Sequence, residues 1–224
     1  MEPLTLKVDS VQLEFDGRKI LQDIYLSCTQ GQIIGLLGRN GCGKSSLLKI
    51  IFGTLTPGYK HVSINDTYIQ NGHDNNRIAY LPQHNYLPGG IKIETLAKIL
   101  VDVAYWDEFT ENSIYQKYYK HTISDLSGGE LRKLETLLVV YNKADFILLD
   151  EPFTHISPIQ TEEFKPILKR CAERKGIIIT DHQYYNVLDI SDHIILLNNG
   201  CTKHITDNNE LVTYGYLSGV NNQL

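Results

Sequence analysis

Residues 32–46 read "QIIGLLGRNGCGKSS", and this stretch decides the fold. "QIIGLLG" is a continuous apolar run of the kind that forms a strand buried on both faces. Gly38 to Ser45, "GRNGCGKS", then matches G-x-x-x-x-G-K-[ST], and an apolar-periodic helix follows to about Phe52. Strand, glycine-rich turn and helix are the context in which that spacing cradles a phosphate. The glycines let backbone N–H groups turn inward where side chains would obstruct them. Lys44 is placed to reach the β and γ oxygens of a nucleotide, and Ser45 to set its hydroxyl on Mg²⁺. Gly38, Arg39, Asn40, Gly41, Cys42, Gly43 and Ser46 are the expected remainder of the nucleotide-binding loop. Cys42 lies beside Lys44 and just before a helix start, so a depressed thiol pKa is expected there.

Outward from this loop, strands alternate with helices. Residues 4–15 and 19–28 alternate like half-buried strands joined by a turn at Asp16-Gly17. "HVSINDTYIQNG" reads as an edge strand and turn, and "RIAYLPQ" as a strand. Ile91 to Lys120 turns helical and separates two strand-rich regions. A helix is expected after "LSGGE", then strand "DFILLD", a helix over 158–174, strand "GIIIT", a helix over 183–190, and strands "HIILLNN" and "CTKHIT". The expectation is an α/β fold with a mostly parallel core sheet, an antiparallel β subdomain and a small helical lobe inserted at about 90–130, all within one domain over 1–224.

"FILLDEP", 146–152, supplies acids at the end of an apolar strand. Ligands of open α/β sheets sit at that carboxyl edge. Asp150 is expected to hold Mg²⁺ and Glu151 to act as general base on the attacking water. These motifs define a nucleotide hydrolase. "LSGGE", Leu126 to Glu130, sets small residues ahead of a helix start, which can also make an anion site.

Lying between the phosphate loop and the acid strand, "LSGGE" resembles the signature of ATP-binding-cassette (ABC) ATPases, and the resemblance covers nearly the whole chain. It implies a P-loop NTPase fold, with ATP and Mg²⁺ as ligands. Gln83, in "YLPQHNYLP", matches the family's loop glutamine, a metal and catalytic position. Phe15 matches the aromatic that stacks on adenine, and His182, in "IITDHQ", the switch histidine. The family packs two such domains head to tail. Ser127, Gly128, Gly129 and Glu130 are then expected to meet the partner's nucleotide, which makes the dimer reciprocal. The implied function is the ATP-hydrolysing subunit of an ABC transporter, peripheral on the cytoplasmic face of the membrane through separate permease chains. A soluble ABC ATPase, such as a metal-cluster assembly ATPase, is the alternative.

Two departures stand out. Ser157 in "FTHISP" takes the place of the family's aspartate, and Asp181 intervenes between Thr180 and His182. Composition fits this reading. The 224 residues are 42% hydrophobic and carry a net charge of −5 with no long basic block, which argues against a nucleic-acid partner. Four scattered cysteines, with no C-x-x-C pair, read as reduced thiols. The opening "MEPLTLKVDS" predicts no secretory signal, and no apolar run approaches the roughly 18 residues of a membrane span.

Overall fold

Two sheets meet across the helix that follows the phosphate loop. The computed structural model describes residues 2–217. In chain order the elements are β1 (Thr5–Phe15), β2 (Arg18–Leu21), β3 (Tyr25–Thr29), β4 (Ile33–Leu37), α1 (Lys44–Phe52), β5 (Tyr59–Ile64), β6 (Thr67–Tyr68) and β7 (Ile78–Leu81). A helical lobe of α2 (Ile93–Leu100), α3 (Trp106–Glu111) and α4 (Ser113–Tyr118) follows, then α5 (Gly128–Val140) and β8 (Phe146–Asp150). The chain continues through α6 (Pro158–Ala172), β9 (Gly176–Thr180), α7 (Tyr184–Ile190), β10 (His193–Asn198), β11 (Cys201–Ile205) and α8 (Asn208–Thr213).

The core sheet has the order β11-β10-β4-β9-β8-β7, parallel throughout except for the antiparallel edge strand β11. Every residue of β4, β8 and β9 is buried, as continuous apolar runs require when both faces are covered. Successive residues point to opposite faces. Ile147, Leu149, Ile177 and Ile179 therefore join one core with α5 and α6, while Phe146, Leu148 and Ile178 join the other with α1 and the second sheet. That second sheet is antiparallel: β1 pairs with β2, β3 and β5, and β5 with β6. The fold class thus follows the sequence expectation.

One expected strand is broken. Residues 19–28 form two strands, because the segment between them is drawn to β11. Gln22 N donates to Gly200 O at 2.9 Å, Thr202 N to Asp23 O at 3.1 Å, and Tyr25 N to Thr202 Oγ1 at 2.8 Å. Backbone groups committed to the core sheet cannot also pair with β1. Helix α5 also starts earlier than expected, at Gly128, with Ser127 as its cap. α8, which the sequence reading did not anticipate, starts at a cap by the Asp207 side chain and buries Leu211.

Parallel register sets the function-bearing loops. Leu81 lies opposite Leu149, and Asp150 opposite Thr180. The chain therefore leaves β7 toward Gln83, β8 toward Glu151 and β9 toward His182 at one edge, beside the loop that follows β4.

Candidate functional site

The phosphate loop is held open by its last glycine. Gly43, at the N-terminus of α1, has φ 110°, a left-handed conformation. A Cβ there would meet Ile20 and Leu21 at 3.0 Å, so only glycine fits. Lys44 Nζ lies across the loop and donates to Gly38 O at 2.7 Å and Arg39 O at 3.2 Å. Ser45 Oγ donates to Asp150 Oδ1 at 3.0 Å, tying the first turn of α1 to the end of β8. Tyr80 OH donates to the other oxygen, Oδ2, at 3.0 Å.

Asp150 is fully buried, and burial pushes its carboxyl above the usual carboxylate range, with the Ser45 and Tyr80 hydroxyls opposing. A buried carboxylate is costly unless it is paired or binds a metal. An all-oxygen set of Ser45 and Asp150 has the chemistry of a hard divalent cation. Among the described residues, no group of three or more His, Cys, Asp or Glu side chains could hold a metal. The hydroxyl of Thr180, opposite Asp150, is buried without a hydrogen-bond partner among the described residues.

Glu151 directly follows. Its φ is 57°, left-handed for a non-glycine residue, and its side chain is almost wholly buried. Its Oε1 lies 2.8 Å from His182 Nε2, while His182 keeps 48% of its side chain exposed. Phe15, Lys44, Ser45, Gln83, Glu151 and His182 all line one cleft of about 490 Å³, with Asn40, Gly41, Gly43 and Ser46 in its wall. Phe15 is 49% exposed at the end of β1, an open aromatic face at the mouth.

Other expected residues lie elsewhere. Ser127, Gly128, Gly129 and Glu130 sit at the start of α5, outside this cleft's lining. A Cβ at Gly129 would meet His155 O at 2.7 Å, so the glycine lets the loop after β8 close on the helix start. Glu130 accepts from Ser127 Oγ at 2.7 Å, Tyr118 OH at 2.7 Å and Lys117 Nζ at 3.0 Å, and these bonds hold its carboxyl down at about 2. Arg39 turns to the C-terminal segment, donating to Gly215 O at 2.6 Å. Cys42 corrects the expectation made for it. Its Sγ packs near Gly38 against the core around α1, and burial pushes the thiol up, outweighing Lys44.

Three residues that the sequence reading gave no role shape the site. Tyr80 is one. Asp181 accepts from Phe153 N and Gln183 N at 2.9 Å each, joining the loop after Glu151 to the loop of His182. Arg132, only 2% exposed, donates to Pro82 O at 2.7 Å, Asp150 O at 2.6 Å and Glu151 O at 3.0 Å. Its signal was present: Arg132 and Glu135 are charges on the face of α5 that also carries buried leucines.

Residues 21–154 match the family model described as ABC transporter. The chain belongs to the ABC transporter family. As an ABC ATPase it binds and hydrolyses ATP as the ATP-binding component of a transport system. It is 28% identical over 212 residues to an uncharacterized ABC transporter ATP-binding protein of Methanocaldococcus jannaschii, covering 89% of this chain and 76% of that one. It is 26% identical over 211 residues to the lipopolysaccharide export system ATP-binding protein LptB of Escherichia coli, covering 88% of each. A solved ATP-binding subunit of an ABC transporter shares the fold, with a TM-score of 0.80 at 19% identity over 96% of this chain and 95% of that one. The matched proteins carry transport names, so the soluble assembly-ATPase alternative is not favoured. No helix among the described residues is long and apolar enough to cross a membrane.

Proposed function

We propose that this ABC ATPase works as a pair of identical chains that close on two ATP molecules and drive separate membrane-spanning subunits from the cytoplasmic face. Ser45 and Asp150, with Gln83, would hold Mg²⁺, which would offset phosphate charge. The chain's own groups do the rest. Lys44 leaves the carbonyls of Gly38 and Arg39 for the phosphate oxygens, and Phe15 packs on the base. Glu151 takes a proton from the water that attacks the γ-phosphorus, ADP leaves with the bridging oxygen, and His182 holds Glu151 and the water in line. The observation that carries this reading is the Glu151–His182 contact at 2.8 Å, facing Lys44 and Ser45 across one cleft.

The pairing is supported by what lies outside the cleft. Ser127 and Gly128 are exposed, Gly129 lies against His155 O, and Ser157 and Ile159, the latter 77% exposed, follow at the start of α6. Ser157, where the family has aspartate, caps α6 in a box with Gln160. That box fixes the start of α6, just after His155, whose carbonyl lies against Gly129. A two-fold partner would meet this face with its own phosphate loop.

A mixing experiment tests the composite sites. Ser127→Arg should block the partner's site, and Lys44→Ala the chain's own, so each homodimer is inactive. In heterodimers both defects fall on one site and the other stays whole. With free exchange, an equal mixture of two dimer-forming chains should regain about a quarter of the wild-type sites. No recovery after exchange is verified by tagged pull-down would overturn independent composite sites.

A further inference from the structure

We infer that Arg132 is a positioning residue for hydrolysis, fixing the backbone that aims Glu151 and Gln83 from inside the signature helix. The inference rests on Glu151 as the base.

Arg132 lies one turn into α5 and is buried. Its guanidinium forks across three carbonyls from two loops. Nη1 reaches Pro82 O at 2.7 Å, one residue before Gln83. Nη2 reaches Asp150 O at 2.6 Å and Glu151 O at 3.0 Å, and Nε reaches Glu151 O at 3.3 Å. Two of these bonds thus end on the carbonyl of the residue whose backbone is left-handed, φ 57°. The N–H of Glu151 is held on the other side by Thr180 O at 2.8 Å. The peptide geometry that turns the Glu151 carboxylate toward His182 is therefore gripped from both ends. A non-glycine residue stays in that region only where its surroundings over-determine it.

Glu135, three residues on along the same helix, completes the frame. It is buried, 3.5 Å from Arg132 Nη1 by its Oε2, and its Oε1 accepts from Tyr86 N at 2.9 Å and Leu87 N at 3.4 Å. The two side chains hold the chain on both sides of Gln83, at Pro82 and at Tyr86-Leu87. A guanidinium is needed because its planar fork meets several acceptors at once, whereas an ammonium is a point charge on a flexible stem.

The test uses Arg132→Lys and Arg132→Met, each alone and in a Glu151→Gln background. ATPase kcat, nucleotide Kd by fluorescence titration and melting temperature are measured for every variant. Both single variants should lose turnover by about 10²-fold, the scale of a mispositioned base, with nucleotide Kd unchanged. In the Glu151→Gln background the same changes should cost nothing further, since groups acting as one unit are not additive. The inference is overturned if either single variant keeps full turnover. It is also overturned if kcat and affinity fall together, or if the loss repeats in full without Glu151. If both variants fail to fold, Arg132 has a folding role and the inference falls. Glu151→Gln turning over at the wild-type rate would instead refute the base assignment itself.

Discussion

The left-handed backbone at Glu151 makes a stability prediction that separates catalysis from folding. Glu151→Ala and Glu151→Gly remove the same side chain, with its 2.8 Å contact to His182 and the 3.4 Å bond from Thr154 Oγ1. Both should lower turnover by about 10²–10⁴-fold, the usual worth of a general base. They differ only in what the backbone tolerates at φ 57°. A residue with a Cβ pays roughly 1–2 kcal/mol there. Glycine does not, but it loses about 0.5–1 kcal/mol more chain entropy on folding than alanine.

The net favours glycine by about 0.5–1 kcal/mol, the reverse of the order at an ordinary helix or strand position. For a chain of this size that is about 1–4 °C in melting temperature. Scanning calorimetry without nucleotide, on both variants side by side, reads the difference directly. Alanine melting at or above glycine would refute the claim that Glu151 is held against its preference, and with it the reason for a clamp on its carbonyl.

Two further predictions concern groups with no chemical role in the reaction. Burial lowers the Lys175 pKa from 10.5 to about 8, and its Nζ donates to Asn142 O. Between those values the unfolded chain binds more protons, so this lysine's contribution to stability rises with pH. Lys175→Met should therefore be more stable than the native chain at pH 7, by up to about 3 kcal/mol. That advantage should shrink from pH 8 to 10.5 in urea titrations, and a constant difference would refute it. Cys42, with its thiol pushed up by burial, should not label selectively with a limiting alkylating agent at neutral pH; rapid labelling that Mg-ATP blocks would refute its packing.

Much of the fold was legible because its signals are local. The phosphate loop needs its glycines in sequence, a doubly covered strand needs an unbroken apolar run, and an acid pair at such a strand's end can only emerge at the sheet edge. Phe15, Gln83 and His182 are individually weak signals: parallel register of β7, β8 and β9 brings Gln83 and His182 to one edge, and Phe15 reaches the same cleft from the end of β1 in the other sheet. What was not legible depends on distant partners. The break at Gln22–Ile24 is imposed by Gly200 and Thr202, far along the chain. Cys42 looked activated by its neighbours in sequence, but the core around it decides its pKa. Arg132 lies on the leucine-bearing face of α5, but what it holds there depends on Pro82, Asp150 and Glu151, which are distant in sequence.

On the proposed pairing, the start of α5 must combine capping with anion binding. Ser127 Oγ donates to Glu130 Oε2 and accepts from Glu130 N at 3.4 Å, while Ser127 N donates to the same carboxylate at 3.1 Å. The serine hydroxyl proton is thus already committed within the chain. The groups left for a partner's phosphate are the first-turn N–H groups, which have no acceptor earlier in the helix. Gly128 and Gly129 carry two of them and present no side chain in the way. The cap brings a cost to the proposed anion site, since Glu130 beside it stays ionised to about pH 2. Lys117 and Tyr118 of the helical lobe draw that carboxylate toward themselves and offset its charge. The lobe therefore conditions the signature electrostatically as well as standing next to it. If the chain pairs as proposed, any force on the lobe that parts Lys117 from Glu130 would uncover a negative charge beside the partner's phosphate, and so weaken closure of the pair.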